Sequence, residues 1–287
     1  ANLHAALTSF YTPTSSRFRI LMEADVFPSD RYALQSVIRN HGFEPADALI
    51  ELSADENGYV APERIEAAIA EAGPSLALVL WSGVAYYSGQ RFPLRRIRDA
   101  AAAAGARVGF DLAHAAGNVP VDLHDVAPDF AVWCGYKYLN GGPGGVAGLF
   151  VHDRHSFEPQ LPRQAGWWGN DPQSRFQMPR DFVPARGADG WQVSNAPVLP
   201  IACLASSLAL FDEATLGALR EKSISLTGTL INEVRTRLGD RCHVLTPDAP
   251  DERGCQVSIR LGEKARAACD ALLRRGIVCD YRSPDVV

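Results

Sequence analysis

The chain has 287 residues, 47% hydrophobic and 21% charged, enough for one large domain or a large one plus a small one. A formal net charge of -5 leaves no basic footprint for nucleic acid or an anionic membrane. No apolar run approaches the roughly 20 residues of a membrane-spanning helix, and no basic-then-apolar leader opens the chain, so a cytoplasmic protein is expected.

In chain order, Asn2 to Tyr11 carries Leu3, Leu7 and Phe10 at helical spacing, and Pro13 closes that helix. Arg19 to Ala24 reads as a strand. Phe27-Pro28-Ser29-Asp30 opens a helix to about His41, with Ser29 as a reasonable N-cap. A strand from Ala48 to Leu52 leads to a helix over Pro62 to Ala72. Ala77 to Trp81 is a nearly continuous apolar run, as in a buried parallel strand, and it delivers Ser82 to the sheet edge. A helix from Leu94 to Ala104 follows, and Gly73 and Gly105 sit as C-terminal glycines of the two helices.

The central stretch runs from Val108 to Gly145. Val108 to Phe110 form a short strand ending in Asp111, then come His114 and a small-residue helix. A second strand spans Phe130 to Cys134, followed by Tyr136, Lys137 and the loop Asn140-Gly141-Gly142-Pro143-Gly144-Gly145. Ligands of open α/β sheets collect at the carboxyl ends of strands. One crossover between two such ends can bring Asp111 and Lys137 to opposite sides of one ring. Pyridoxal phosphate needs that pair, a lysine to hold its aldehyde and an acid to keep its pyridine nitrogen protonated. The spacing alone also fits an ordinary strand acid and a surface lysine before a turn.

Beyond it, Val146 to Val151 is a strand. Phe157 to Gly190 is irregular and rich in Pro, Gly, Arg and Trp, a length that is usually functional in a compact domain. Leu199 to Leu238 is helical with a break near Ala214–Leu216. HVLTP, CQVSIRL, EKARAACDALLRRG and IVCDYR then read strand, strand, helix, strand. The six cysteines (134, 203, 242, 255, 269 and 279) form no CxxC pair and read as free thiols in a reducing compartment. His152 and His155 lack the spacing of a usual zinc site.

FDLAHAAGNVPVDLHDVAPDFAVWCGYKYLNGGPGGVAGLFVH resembles the core of the kynureninases, fold-type-I pyridoxal-phosphate enzymes. FPSDRYAL, SGVAYYSGQ, GWWGN, VSNAP, DERGCQVSI and GIVCDYRSP extend the resemblance in family order across nearly the whole chain. It implies an α/β fold, a mainly parallel sheet flanked by helices, with a large cofactor-binding domain over 1–198. Linking helices and a small C-terminal α/β lobe occupy 199–287. It also implies hydrolysis of L-kynurenine or 3-hydroxy-L-kynurenine to L-alanine and an anthranilate, in tryptophan catabolism and NAD biosynthesis. The partners are a small aromatic amino acid and, as a homodimer with shared sites, a second copy.

Carried over by motif, Lys137 holds pyridoxal 5′-phosphate and, once freed, abstracts the α-proton, while Asp111 pairs with the ring nitrogen. Tyr136 bonds the phosphate and relays protons, and His114 bonds Asp111 or the ring substituents. Phe27 stacks on the ring, with Pro28, Ser29 and Asp30 anchoring it. Ser82 touches the cofactor, Trp167 the phosphate or substrate region, and Asn195 the phosphate or the substrate's aromatic ring. Members are longer at the N-terminus, and an arginine that clamps the substrate carboxylate lies beyond SPDVV, so a partial and poorly active chain is expected. Ala85 stands where some members have histidine, which bears on the 3-hydroxy preference. Two rival readings are a cysteine desulfurase or related lyase, and a non-catalytic pyridoxal-phosphate-binding fragment.

Overall fold

A computed structural model describes residues 1–156 and 158–287, so Phe157, where the irregular region was expected to start, lies outside the described residues. The elements follow in order: α1 (Asn2–Phe10), β1 (Arg19–Glu23), α2 (Pro28–Asn40), α3 (Pro45–Ala48), β2 (Leu49–Leu52), α4 (Pro62–Ala72) and β3 (Leu76–Ser82). Next come α5 (Leu94–Ala103), β4 (Arg107–Asp111), α6 (Leu123–Val126), β5 (Phe130–Cys134) and β6 (Ala147–Val151). The chain continues with α7 (Val198–Ala214), α8 (Leu216–Leu238), β7 (His243–Val244), β8 (Ile259–Arg260) and α9 (Ala265–Arg274).

The main sheet has the order β2-β1-β3-β4-β5-β6. Every neighbouring pair is parallel except β5 and β6, which are antiparallel. Strand β3 lies third in that row with all seven residues buried, which explains its unbroken apolar sequence. Its side chains alternate between two cores. Val79 and Trp81 join the face covered by Ile65 and Ile69 of α4 and Ile97 of α5. Leu78 and Leu80 join the face covered by Leu7 and Phe10 of α1 and Leu34 and Ile38 of α2. A sheet covered on both faces is the fold-type-I arrangement expected.

Several local expectations are corrected. Ser29 is not the N-cap of α2. Phe27 occupies that position, Pro28 opens the helix, and Ser29 Oγ reaches Asp30 Oδ1 at 3.4 Å inside the first turn. The small-residue helix after Asp111 is a run of turns. Leu112 O accepts from Ala115 N and Ala116 N, and Gly117, at φ +79°, ends the coil before Pro120. The strand expected at Ile277–Arg282 does not form. Ile277 and Val278 are exposed, and Ile277 N bonds back to Leu272 O at the end of α9. Residues 285–287 take the place beside β8 instead, where Ile259 and Val287 exchange both backbone bonds. β7 and β8 have only two residues each.

The helical stretch breaks at Thr215, whose φ is +61°. None of the residues of α7 is buried, although Val198, Leu199 and Leu210 are large and apolar. Among the described residues no single helix is long and apolar enough to cross a membrane. The segment between β7 and β8 is stitched to the loop after β3. Arg91 N donates to Glu252 O, Gly254 N to Gly89 O, Ser258 Oγ to Tyr87 O, and Gln256 Nε2 to Tyr86 O, at 2.7–3.0 Å.

Candidate active site

Parallel strands β1, β3, β4 and β5 end side by side, in register Ser82 beside Asp111 and Asp111 beside Val132. The crossovers must leave a crevice at this edge. A cavity of about 190 Å³ opens there, lined by Phe27, Ser29, Asp30, Ser82, Val84, Tyr86, Asp111, His114, Tyr136 and Lys137, with Trp133 and Cys134 beneath. Residues Ala1 to Leu3 also reach it.

Local backbone chemistry sets each side chain. Asp111 Oδ1 accepts from Ala113 N at 2.8 Å, which turns the chain sharply and points it back past the strand end. Gly135 lets the chain leave β5 closely under β6, since a Cβ there would lie 2.3 Å from the Val146 carbonyl oxygen. Gly141 N then bonds Gly135 O, closing a loop that carries Tyr136 and Lys137 over the cavity.

Lys137 Nζ lies 2.9 Å from His114 Nε2 and 5.5 Å from the Phe27 ring centroid. An ammonium only donates, so Nε2 accepts and the His114 proton sits on Nδ1. That atom is buried with no protein partner. Burial first, then the charges of Lys137 and Arg282, hold His114 down to about 3, an uncharged ring at neutral pH. Tyr86 and Tyr138 flank the imidazole at 6.4 and 5.7 Å, and Tyr86 stands edge-on to Phe27 at 5.5 Å.

Behind Asp111 lie two more acids. Asp30 is buried, and burial, the neighbouring Asp111 charge and a hydrogen bond between the two carboxyls push its own well above the usual range. Glu23, the last residue of β1, is also buried, with Oε2 2.8 Å from Ser82 Oγ. Sequence reasoning passed over Glu23. Its only local signal is an acid closing an otherwise apolar, buried strand, and the Ser82 contact spans 59 positions. Tyr86 was passed over as well, inside a motif read only through Ser82.

The other expected site residues fall differently. Pro28 starts α2 beside Phe27 but does not line the cavity. Trp167 donates from Nε1 to Arg175 O at 3.1 Å and lines a separate cavity of about 310 Å³. Asn195 is exposed and lines neither. Cys134 lies at the base of the main cavity, its thiol 3.9 Å from the Ala113 carbonyl oxygen. Among the described residues no group of acids, histidines and cysteines is arranged to hold a metal ion.

The arrangement offers an amine, a carboxylate, an exposed aromatic face and a buried imidazole nitrogen awaiting a partner. These suit a flat, polar heteroaromatic ring carrying an aldehyde. Comparison with known proteins gives the same direction. The family model for the kynureninase C-terminal domain matches residues 219–287, and that for aminotransferase class-V matches residues 32–166. The kynureninase of Stenotrophomonas maltophilia is 55% identical over 290 residues, covering 100% of this chain and 68% of that protein. The kynureninase of Xanthomonas euvesicatoria is 53% identical with the same coverage. The chain therefore spans about two thirds of the length of these relatives.

Among solved structures, a mutant of the cystine C–S lyase C-DES with glycine covalently linked to its PLP cofactor superposes with a TM-score of 0.79. It is 20% identical, over 99% of this chain and 73% of that one. The apo cysteine desulfurase of Thermococcus onnurineus NA1 gives a TM-score of 0.73 at 17% identity, over 96% and 65%. At such identities the likeness is one of fold.

Proposed function

The chain belongs to the kynureninase family, and on that premise we propose that its cavity holds pyridoxal 5′-phosphate on Lys137. The reaction is hydrolysis of L-kynurenine or 3-hydroxy-L-kynurenine to L-alanine and the matching anthranilate. One observation carries this reading: Lys137, Asp111, His114 and Phe27 converge on a single cavity at the carboxyl edge of the sheet. The orphaned His114 Nδ1 supports it, because buried polar atoms are rarely left without a partner.

When bound, pyridoxal phosphate supplies an aldehyde for the substrate amine and a protonated ring that accepts the electron pair released at carbon. The protein's part is to hold and orient. Lys137 supplies the amine that secures the aldehyde and, once free, takes the α-proton. The uncharged His114 Nε2 accepts from that amine and keeps its position between the two tasks. Asp111, fixed by Ala113 N, keeps the ring nitrogen protonated through its charge. Phe27 provides a face for the ring, Pro28 sets the turn that presents it, and Ser29, Asp30 and Ser82 anchor its edge. Tyr136, half exposed at the rim, would hold the phosphate and carries a phenol proton it could donate there.

Trp167 and Asn195 are assigned to a site shared with a second copy. The exposed Val198, Leu199 and Leu210 of α7 support such a homodimer, since apolar side chains in that density mark interfaces. We assign 1–198 to the cofactor-binding domain and 199–287 to the linking helices and small lobe. Six free thiols support a reducing compartment, the cytoplasm.

The test is borohydride reduction after adding pyridoxal phosphate, peptide mapping, and assay of alanine and anthranilate from both substrates. A reduced cofactor on Lys137 and anthranilate release are expected. Sulfide release from cysteine with no anthranilate would move the chain to the desulfurases. Labelling of a different lysine would refute the assignment of Lys137.

A further inference from the structure

Glu23 and Ser82 close adjacent parallel strands, and both side chains are only 7% exposed. Ser82 lines the main cavity. Glu23 lines instead a smaller one of about 120 Å³ behind it. The two are joined by the 2.8 Å contact between Ser82 Oγ and Glu23 Oε2, while Glu23 Oε1 is buried with no partner. An ionised carboxylate in such a place would gather several donors. This one has a single hydroxyl.

The charges facing it explain why. Asp25 follows on the same strand end and Asp111 comes from β4, and both act on Glu23 as like charges; Asp30 comes from α2, its own carboxyl pushed up by Asp111 and Glu23. Asp55 lies on the wall of the smaller cavity. Arg260 brings a cation to that wall, but it is already engaged by Asp285 at 3.3 Å and by the Glu56 carbonyl at 3.1 Å. Tyr87, on the same wall, donates to Asp285. Burial pushes the Glu23 carboxyl up, the Ser82 bond pulls it back, and the charges of Asp111 and Asp25 push it further, to about 8.

We propose that Glu23 is a positioning residue that works as an uncharged acid, donating its carboxyl hydrogen to Ser82 Oγ so that Ser82 turns its own hydroxyl hydrogen into the cofactor cavity. A serine hydroxyl has one donor and can accept as well. If Glu23 were ionised, Ser82 would spend that donor on it and face the cavity with lone pairs alone. The protonation of a residue outside the cavity thus sets the polarity of one inside it. The donor role rests on reading the cavity as the pyridoxal-phosphate site; the uncharged state of Glu23 does not.

Two measurements separate these parts. Thermal unfolding without added cofactor, from pH 5 to pH 9, compares the native chain with Glu23→Gln. The unfolded native chain ionises Glu23 over this range and the folded one resists, so the native chain is expected to lose melting temperature relative to the variant as pH rises. Parallel curves would mean that Glu23 is ionised when folded and would overturn the proposal. Equilibrium binding of pyridoxal phosphate, followed by its absorbance, then compares the native chain, Glu23→Gln, Ser82→Ala and the double variant at pH 7 and pH 9.

The native chain should weaken several-fold between the two pH values and Glu23→Gln should not, because the glutamine amide still donates to Ser82. Ser82→Ala should bind about tenfold more weakly at pH 7 and should lose the native chain's further weakening at pH 9, with or without Glu23→Gln. A weakening between pH 7 and pH 9 that survives in Ser82→Ala and is removed from it by Glu23→Gln would overturn the coupling. Failure of the native chain to bind pyridoxal phosphate would overturn the cavity reading and the donor role with it, while the unfolding curves would still report the proton on Glu23.

Discussion

Replacing Asp129 by asparagine keeps the side chain's size and one acceptor but removes its charge, at the amino end of the sheet, away from the cavity. Asp129 is buried, and its Oδ1 accepts from Arg107, Arg154 and His155 at 2.8–3.0 Å while Oδ2 accepts from Val108 N at 2.7 Å. Burial raises its pKa, but the His155 and Val108 bonds and the two guanidinium charges outweigh that and bring it from 3.8 to about 2. A depressed carboxyl stabilises above its unfolded pKa and loses that contribution as pH falls through the folded one. A difference of this size is worth about 2 kcal/mol at pH 6, and roughly half of it survives at pH 3. The uncharged amide resembles the protonated acid, so the variant should lack this contribution at both values. The assay is urea unfolding followed by tryptophan fluorescence at pH 6 and pH 3. The gap between native chain and Asp129→Asn should shrink from about 2 to about 1 kcal/mol. A constant gap, or none at pH 6, would refute the charge argument and leave Asp129 a mere space-filler.

Other outcomes are as definite. Gly148 faces Trp133 across β5 and β6, and a Cβ there would lie 2.0 Å from the indole ring, so Gly148→Ala should cost about 2 kcal/mol in urea unfolding. Because Trp133 lines the cavity, that variant should also bind pyridoxal phosphate more weakly. His114 should remain uncharged down to about pH 4, with its proton on Nδ1; nitrogen NMR showing it titrate near its ordinary 6.5 would contradict the buried, lysine-facing geometry. Arg220 is buried and its guanidinium donates to the carbonyls of Pro250 and Arg253. Arg220→Met should cost about 2 kcal/mol and speed amide exchange over residues 250–255, since both carbonyls lose a charged donor.

What could be read from the chain beforehand tracks how locally each feature is determined. The run Leu76–Ser82 announces a doubly covered strand because burial on both faces demands apolar residues at every position. Asp111 and Lys137 were legible because strand ends and a glycine loop mark them. The turn after Asp111 was misread as a helix because Leu112, Ala113, Ala115 and Ala116 favour one, whereas Gly117 and Pro120 forbid its continuation. Ile277–Arg282 has strand-like residues, but pairing is decided by which segment reaches β8 in space, and that is 285–287. Glu23 was invisible because its meaning lies in Ser82. Trp167 and Asn195 were marked by motif alone, and within one copy nothing draws them to the cavity.

The bonds between the loop after β3 and residues 252–258 tie the C-terminal segment to the main sheet. Cutting the chain after residue 198 would leave the carbonyls of Tyr86, Tyr87 and Gly89 without the donors from Gln256, Ser258 and Gly254. Val84 and Tyr86, which wall the cavity, sit in that same loop. A graft of residues 1–198 alone would therefore carry every side chain that lines the cavity and still lose its shape. The same bonds make the shape of this wall a property of two distant stretches of sequence, residues 83–91 and 252–258, held together by hydrogen bonds to backbone carbonyls.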